Sequence, residues 1–325
     1  MLLLRLLKKH PRVIISYRNS GFGDNLLAVA NAWCYAKNTN RAVVISWQPS
    51  RYLADKGENA FSRFFSVPGS IEGVPVVAEP RIDRLSALLI LYPYFFSPAP
   101  DPLSILYKVP GKLRITTDNL FRQRMQRRQE ATDRIINNLE EVKQKIVITH
   151  GSYSPNHNLK PFFDSLELKT EFQKRVGEFA ERNFRNKNVI GAHIRYHNQS
   201  MPVSGHTKYW LDQTKALAAC LDRIKKAAAG FNESEYVIFL CTDSRIVQDF
   251  ISQSADNVVT YDKDFGGDSS KELHQELPVE TAEAALTEMF LLAKSDILFR
   301  FPPGSWFSHY ASMYVKNKIP NDGRI

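Results

Sequence analysis

Val189-Ile190-Gly191-Ala192-His193-Ile194-Arg195-Tyr196-His197-Asn198 is the stretch on which the reading of the fold turns. Its apolar opening reads as a buried strand of a parallel sheet, because strands covered on both faces are near-continuous apolar runs. A histidine, an arginine and a second histidine then stand where that strand ends. In open α/β sheets, ligands bind at the carboxyl ends of strands. Alternation along the strand puts His193 and Arg195 on one face. A guanidinium offers a rigid fork of donors that matches phosphate oxygens. On this stretch alone, an arginine salt-bridged at a strand end beside a satisfied histidine is an equal reading.

The sequence after this stretch repeats an α/β rhythm. A polar loop runs through Gly205, followed by a helix over 207–229 and a strand over 236–241 that ends in Thr242-Asp243-Ser244. A helix over 245–252, a strand over 257–261 and an Asp- and Gly-rich loop over 262–270 come next. A helix over about 280–294 then precedes the strand Ile297-Leu298-Phe299-Arg300-Phe301. Pro302-Pro303-Gly304-Ser305-Trp306-Phe307-Ser308 turns into a closing helix around His309–Val315.

The first half carries the same rhythm less regularly. Residues 12–17 read as a buried strand running into Arg18-Asn19-Ser20-Gly21-Phe22-Gly23-Asp24-Asn25. A helix over Leu26–Asn38 follows, with Asp24 as its N-cap candidate. A strand, a Gly-x-Gly turn and a helix start can cradle an anion. Without the third glycine or a lysine-serine tail, a plain tight turn is the simpler reading. Ala42–Ser46 make a second strand, and Trp47 and Arg51 just beyond it suit a polar ligand. Residues 57–105 read as irregular, with aromatics (Phe61, Phe64, Phe65, Tyr92, Tyr94, Phe95, Phe96) that form a packed satellite core or a platform for sugar rings. Ile146–Ser152 add a strand and turn, and a helix over about Leu166–Phe184 closes this half. Strands alternating with helices predict an α/β protein with a parallel doubly wound sheet in each half. The boundary is expected near residue 187, giving domains 1–187 and 188–325 that face each other across a cleft.

Composition narrows the function classes. A chain of 325 residues suits two domains. Hydrophobic content of 43% and charged content of 24% are those of a globular protein. Cys34, Cys220 and Cys241 are odd in number, have no metal-like spacing and sit in apolar surroundings, which fits a reducing, cytoplasmic compartment. Met1–His10 lacks the charge order and cleavage site of a signal peptide. No run approaches the about 18 apolar residues of a transmembrane helix. That opening segment reads as a frayed terminus, or as a short basic helix in peripheral contact with the inner membrane.

The net charge of +9 admits nucleic acid, an anionic membrane or a phosphorylated small ligand. The densest basic stretch, 121–128, continues into a pattern of acids and of apolar Ile135, Ile136, Leu139 and Val142. That is the solvated face of an amphipathic helix. With no helix-turn-helix, zinc-finger or RNA-binding signature, nucleic acid is not an expected partner.

The strand ends of the second half carry the chemistry. His193 and Arg195, Thr242-Asp243-Ser244, and Gly304-Ser305 at a helix start are their polar groups, and an arginine plus a serine-bearing helix start is a phosphate site in physical terms. A purine amide edge presents N–H donors, which a carboxylate accepts. Glu288, within Leu286-Thr287-Glu288-Met289-Phe290-Leu291, is an acid on an apolar helix and by itself reads as that helix's polar face. Asp262, Asp264 and Asp268 make a carboxylate cluster, but no DxD-type motif sits where a phosphate-bridging Mg²⁺ would be expected, so no metal is expected, and arginine can neutralise a diphosphate leaving group without one. The serines lack the context of a hydrolase nucleophile.

These blocks resemble the rhizobial nodulation-factor alpha-1,6-fucosyltransferases, relatives of the eukaryotic core alpha-1,6-fucosyltransferases. The resemblance is carried by Gly21-Phe22-Gly23-Asp24, Ala32-Trp33-Cys34-Tyr35-Ala36, Val44-Ile45-Ser46-Trp47 and Ile190-Gly191-Ala192-His193-Ile194-Arg195. It continues in Val237–Ser244, Met289-Phe290-Leu291-Leu292-Ala293 and Arg300-Phe301-Pro302-Pro303. It implies two Rossmann-like domains in the GT-B arrangement, the first on the acceptor side and the second on the donor side. It also implies inverting, metal-independent transfer of fucose from GDP-fucose to a bacterial oligosaccharide or polysaccharide. By the same resemblance, Arg195 holds the β-phosphate, His193 contacts the nucleotide and Glu288 stands where the family has a guanine-reading aspartate. Ser305 and Trp306 fall in the phosphate-contacting turn, and Asp243 lines the donor cleft. Gly21, Gly23 and Asp24 are further cleft candidates.

One departure matters. The family carries acids shortly after the His-x-Arg, whereas this chain has Tyr196-His197-Asn198-Gln199-Ser200 and no acid until Asp212. Inverting transfer needs a base for the acceptor hydroxyl. His197 and His206 are the candidates, since imidazole titrates near neutral pH. The missing acid also leaves open a catalytically silent nucleotide- or sugar-binding protein on the same fold.

Overall fold

The computed structural model describes residues 2–18, 21–48, 50, 52–55, 57–79, 81, 134–149, 157–196, 213–265, 279–303 and 305–319. The basic stretch 121–128, the aromatics Tyr92, Tyr94, Phe95 and Phe96, Arg51, Asp268, His197, His206 and Gly304 lie outside the described residues. The chain divides into two compact units, Met1–Lys169 and Thr170–Ile325.

In the first unit α1 (Leu2–Lys9) leads into β1 (Val13–Tyr17), α2 (Phe22–Thr39) and β2 (Ala42–Ser46). Then come α3 (Ala60–Phe64), β3 (Phe65–Ser66), β4 (Ser70–Ile71), β5 (Val74–Val77), β6 (Ile146–Thr149), α4 (Lys160–Asp164) and β7 (Glu167–Leu168). The main sheet has the order β4-β5-β2-β1-β6, parallel except for the β4–β5 hairpin. Every residue of β1 and β2 is buried, which is why both read as unbroken apolar runs. Each Val or Ile so buried contributes about 1.5–3 kcal/mol of transfer free energy. α2 ends at Asn40, whose left-handed backbone (φ 50°) returns its N–H to the Ala36 carbonyl.

Three local expectations are corrected here. α2 begins at Phe22, four residues before Leu26, with Gly21 as N-cap and no side-chain capping bond. Asp24 therefore lies in the first turn, where a carboxylate suits the positive helix end and Arg18 approaches to 3.7 Å. Trp47 is not a ligand platform. It is buried, edge-on to Phe61 at 5.2 Å, Phe65 at 5.9 Å and Phe22 at 6.2 Å. Residues 57–79 are ordered around the buried Asn59. Its Oδ1 accepts from the N–H groups of Trp47 (2.9 Å) and Phe61 (3.3 Å), and its Nδ2 donates to the carbonyls of Ile45 and Glu79 (both 2.8 Å).

The second unit runs α5 (Thr170–Phe184), β8 (Asn188–Ile194), α6 (Gln213–Ala228), β9 (Tyr236–Thr242) and α7 (Arg245–Ser254). It continues with β10 (Val258–Thr260), α8 (Val279–Leu292), β11 (Ile297–Phe301), α9 (Phe307–Ser312) and β12 (Asn317–Lys318). The expected helix over 166–184 starts only at Thr170, because Glu167 and Leu168 pair with Ser66 and Phe65 as a two-stranded ladder. The sheet order is β10-β9-β8-β11-β12, parallel throughout. The chain therefore starts at β8, steps outward to β10 and returns on the other side of β8 as β11. The strand order reverses between β8 and β11, the point where open α/β sheets hold ligands at their carboxyl ends.

Gly191 lets α8 close on the sheet. A Cβ there would overlap the Ser295 Oγ and lie 2.9 Å from the Ser295 Cβ and 3.3 Å from the Leu292 Cδ2. Gly191→Ala is expected to destabilise the fold by about 1–3 kcal/mol, the cost of overpacking a filled core. Urea unfolding measures it, and adding Ser295→Ala should restore only part, because the two Cβ atoms still crowd.

Candidate functional site

The carboxyl ends of β8, β9 and β11 bring the sequence-predicted residues of the second unit together. His193 is the penultimate residue of β8 and pairs in register with Arg300 of β11. Just past β8, the Arg195 N–H donates to the Phe301 carbonyl at 2.7 Å, extending the ladder by one bond. The Tyr196 N–H donates to Asp243 Oδ1 at 2.7 Å, and Asp243 Oδ2 lies 3.9 Å from Arg195 Nε. Asp243 thus ties the end of β9 to the segment leaving β8. The Arg195 side chain remains 27% exposed, so its guanidinium is reachable by a ligand.

His193 is 5% exposed and stacks on Phe307 at 5.2 Å. Burial pushes its pKa well below 6.5, with Arg195, Arg300 and Lys263 adding to the shift. It is therefore a neutral imidazole, and its Nδ1 has no hydrogen-bond partner among the described residues. The Ser305 Oγ is likewise buried without a partner. Among the described residues these are two of several buried side-chain atoms without a partner, and the two that stand by the β8–β11 strand switch, where a polar ligand would satisfy them. Trp306 follows Ser305 in the same turn and is edge-on to His309 at 5.2 Å.

Two further residues escaped the sequence reading. Arg300 holds the turn that presents Ser305: Nη2 donates to the Ser305 carbonyl at 2.8 Å and Nε to the Ser308 Oγ at 2.9 Å. Its signal was a lone charge in the otherwise apolar run of β11, where an unpaired charge is not tolerated. Lys263, in the segment after β10, donates to Glu288 at 2.5 and 2.7 Å and to the Thr242 carbonyl at 2.5 Å. Glu288 is 3% exposed. It is not a surface position on α8, because Lys263 and the end of β9 cover it. Burial pushes the Glu288 carboxyl up and Asp243 adds to the rise, which Lys263 and the Cys241 thiol offset only in part. Burial likewise works against the Lys263 ammonium, and Glu288, Cys241 and Asp243 more than offset it. Arg195, Arg300 and Lys263 all press on the His193 imidazole, and cations gathered around one strand end favour an anion there.

Gly21, Gly23 and Asp24 lie in the first unit, where β1 passes into α2. Among the described residues no group of His, Cys, Asp and Glu side chains is disposed to hold a metal, and no helix is long and apolar enough to cross a membrane.

The site's surroundings make stability pH-dependent. His309 is held down to about 4 by burial, then by Arg300 and Lys318. A histidine depressed in the folded state stabilises it fully above its unfolded value of 6.5 and loses that contribution as pH falls through about 4. Chemical unfolding followed from pH 7.5 to 4 should show stability falling over this window, and His309→Gln should flatten part of the fall. The remainder belongs to groups such as His193.

The Nodulation protein Z (NodZ) family model matches residues 10–323 of this chain. Nodulation protein Z of Sinorhizobium fredii is 30% identical over 318 residues, covering 96% of this chain and 94% of that protein. The crystal structure of fucosyltransferase NodZ from Bradyrhizobium superposes with a TM-score of 0.68 at 26% identity, covering 96% of both chains. A NodZ alpha-1,6-fucosyltransferase soaked with GDP-fucose gives 0.71 at 26% identity, over 96% of this chain and 95% of that one. The fold is accordingly GT-B-like, with two Rossmann-like α/β units. With nearly its whole length matched by the family model, the chain belongs to the Nodulation protein Z family.

Proposed function

We propose that this protein is an inverting fucosyltransferase that uses GDP-fucose and a bacterial oligosaccharide or polysaccharide acceptor. The observation that carries the reading is the β8–β11 switch, with the reachable Arg195 beside the orphaned His193 Nδ1 and Ser305 Oγ. The second unit is the donor side and the first the acceptor side. Arg195 pairs with the β-phosphate, Ser305 and Trp306 border the diphosphate, Asp243 orients Arg195, His193 contacts the nucleotide, and Glu288 accepts from the N–H edge of guanine. Gly21, Gly23 and Asp24 are further cleft candidates, carried by the first unit. An acceptor hydroxyl attacks the anomeric carbon of fucose from the face opposite GDP. The bond from that carbon to the β-phosphate oxygen breaks, GDP leaves with the electron pair, and the hydroxyl proton passes to His197 or His206. Arg195 neutralises the charge that develops on the leaving diphosphate.

A thermal-shift panel of nucleoside diphosphates tests the donor reading. GDP should raise the midpoint by mass action, since it binds the folded state alone, and turnover should be unchanged by EDTA. A larger shift with UDP or ADP would reject Glu288 as a guanine reader. The second reading, a silent nucleotide-binding protein, rests on the missing acid after Arg195. GDP binding without turnover across a broad acceptor panel would favour it.

A further inference from the structure

The Lys263 ammonium has three protons and three acceptors: the Thr242 carbonyl and both oxygens of Glu288. Both side chains are nearly out of water, at 8% and 4% exposure. The contact joins three elements: the segment after β10, the last residue of β9, and α8. A fully buried ion pair is seldom the most stable choice for a core, since well-packed apolar residues do as well or better. Its presence at the carboxyl edge of the sheet calls for a reason other than stability.

We infer that Lys263 is a positioning residue for base recognition: it holds Glu288 ionised and in one orientation, so that the carboxylate presents an acceptor to the donor edge of a guanine. The inference rests on the guanine-reading role proposed for Glu288. An ionised carboxylate offers only acceptors, whereas a protonated one turns a donor toward the N–H groups of the base. The groups facing Glu288 are Lys263, the Cys241 thiol and Asp243, and Lys263 is the only cation among them. Without it, burial and the neighbouring Asp243 both favour the protonated acid. The lysine therefore keeps the base preference constant across pH.

The test uses the full-length protein with GDP and UDP as probes, titrated by calorimetry between pH 6 and 9. Wild type should prefer GDP with an affinity flat in pH. Lys263→Met should lose about tenfold or more in GDP affinity at pH 7, the scale of a charged hydrogen bond, and regain it as rising pH ionises Glu288. UDP binding should change little. Lys263→Arg, which retains the cation, should keep GDP affinity flat in pH. A Lys263→Met protein with unchanged GDP preference and no pH dependence overturns the inference while leaving Glu288 as a base reader. Wild type with no preference for GDP over UDP removes the base-reading role itself, a distinct result. If circular dichroism shows Lys263→Met unfolded, Lys263→Gln is read in the same way. Failure of both to fold in the presence of GDP would assign the lysine to folding and overturn the inference.

Discussion

Arg195→Ala is expected to lower fucose transfer from GDP-fucose by about 10²–10³-fold, the loss that follows removal of one preorganised donor to a developing charge. The fold should survive. The bond from Arg195 to the Phe301 carbonyl uses the backbone N–H and is kept in the variant. The side chain is partly exposed, and its ion-pair contact with Asp243 is a long 3.9 Å, so truncation strands no deeply buried charge. Arg195→Lys should recover little, because a point charge does not replace a planar fork across two phosphate oxygens. Steady-state kinetics with GDP-fucose, beside a thermal midpoint for each variant, measures both halves. Near-normal kcat/KM in a folded Arg195→Ala protein would remove Arg195 from the site.

The second large effect concerns Glu288 and Lys263. Glu288→Ala leaves an ammonium buried at 8% exposure with one hydrogen-bond acceptor among the described residues, the Thr242 carbonyl. Breaking a buried pair by removing one partner costs about 3–5 kcal/mol. Replacing both, as in Lys263→Met with Glu288→Leu, removes the stranded charge and should bring stability back close to wild type. The double variant should nonetheless have lost its preference for GDP. Urea unfolding gives the first quantity and a nucleotide panel the second. A double variant as unstable as Glu288→Ala would show that packing, not charge, dominates there.

The strands were legible because burial on both faces writes them as apolar runs. Val13–Tyr17, Ala42–Ser46 and Ile297–Phe301 fall within one residue of where periodicity puts them. The start of α2 was not legible, because Gly21 caps it with no side-chain signal and the acid that resembles a cap lies inside the first turn. Residues 57–79 resisted for a related reason: their order comes from four hydrogen bonds of Asn59, which no hydropathy pattern records. Arg195 and His193 could be placed at a strand end, where one strand's pattern suffices. Glu288 was misjudged as surface because an acid on a helix is exposed unless something pairs with it, and its partner is 25 positions away. Lys263 was overlooked for the mirror reason, hidden between Asp262 and Asp264 in a loop that reads as solvated. Long-range polar pairs of this kind depend on the tertiary fold, and local pattern carries no trace of them.

The most direct measurement is release of GDP from GDP-fucose by the purified protein with an oligosaccharide acceptor, run beside Arg195→Ala. GDP formed in step with a fucosylated product of inverted anomeric configuration, and lost in the variant, is the expected result. Transfer that persists in Arg195→Ala, or a product of retained configuration, would contradict a reaction driven by diphosphate departure at the β8–β11 switch.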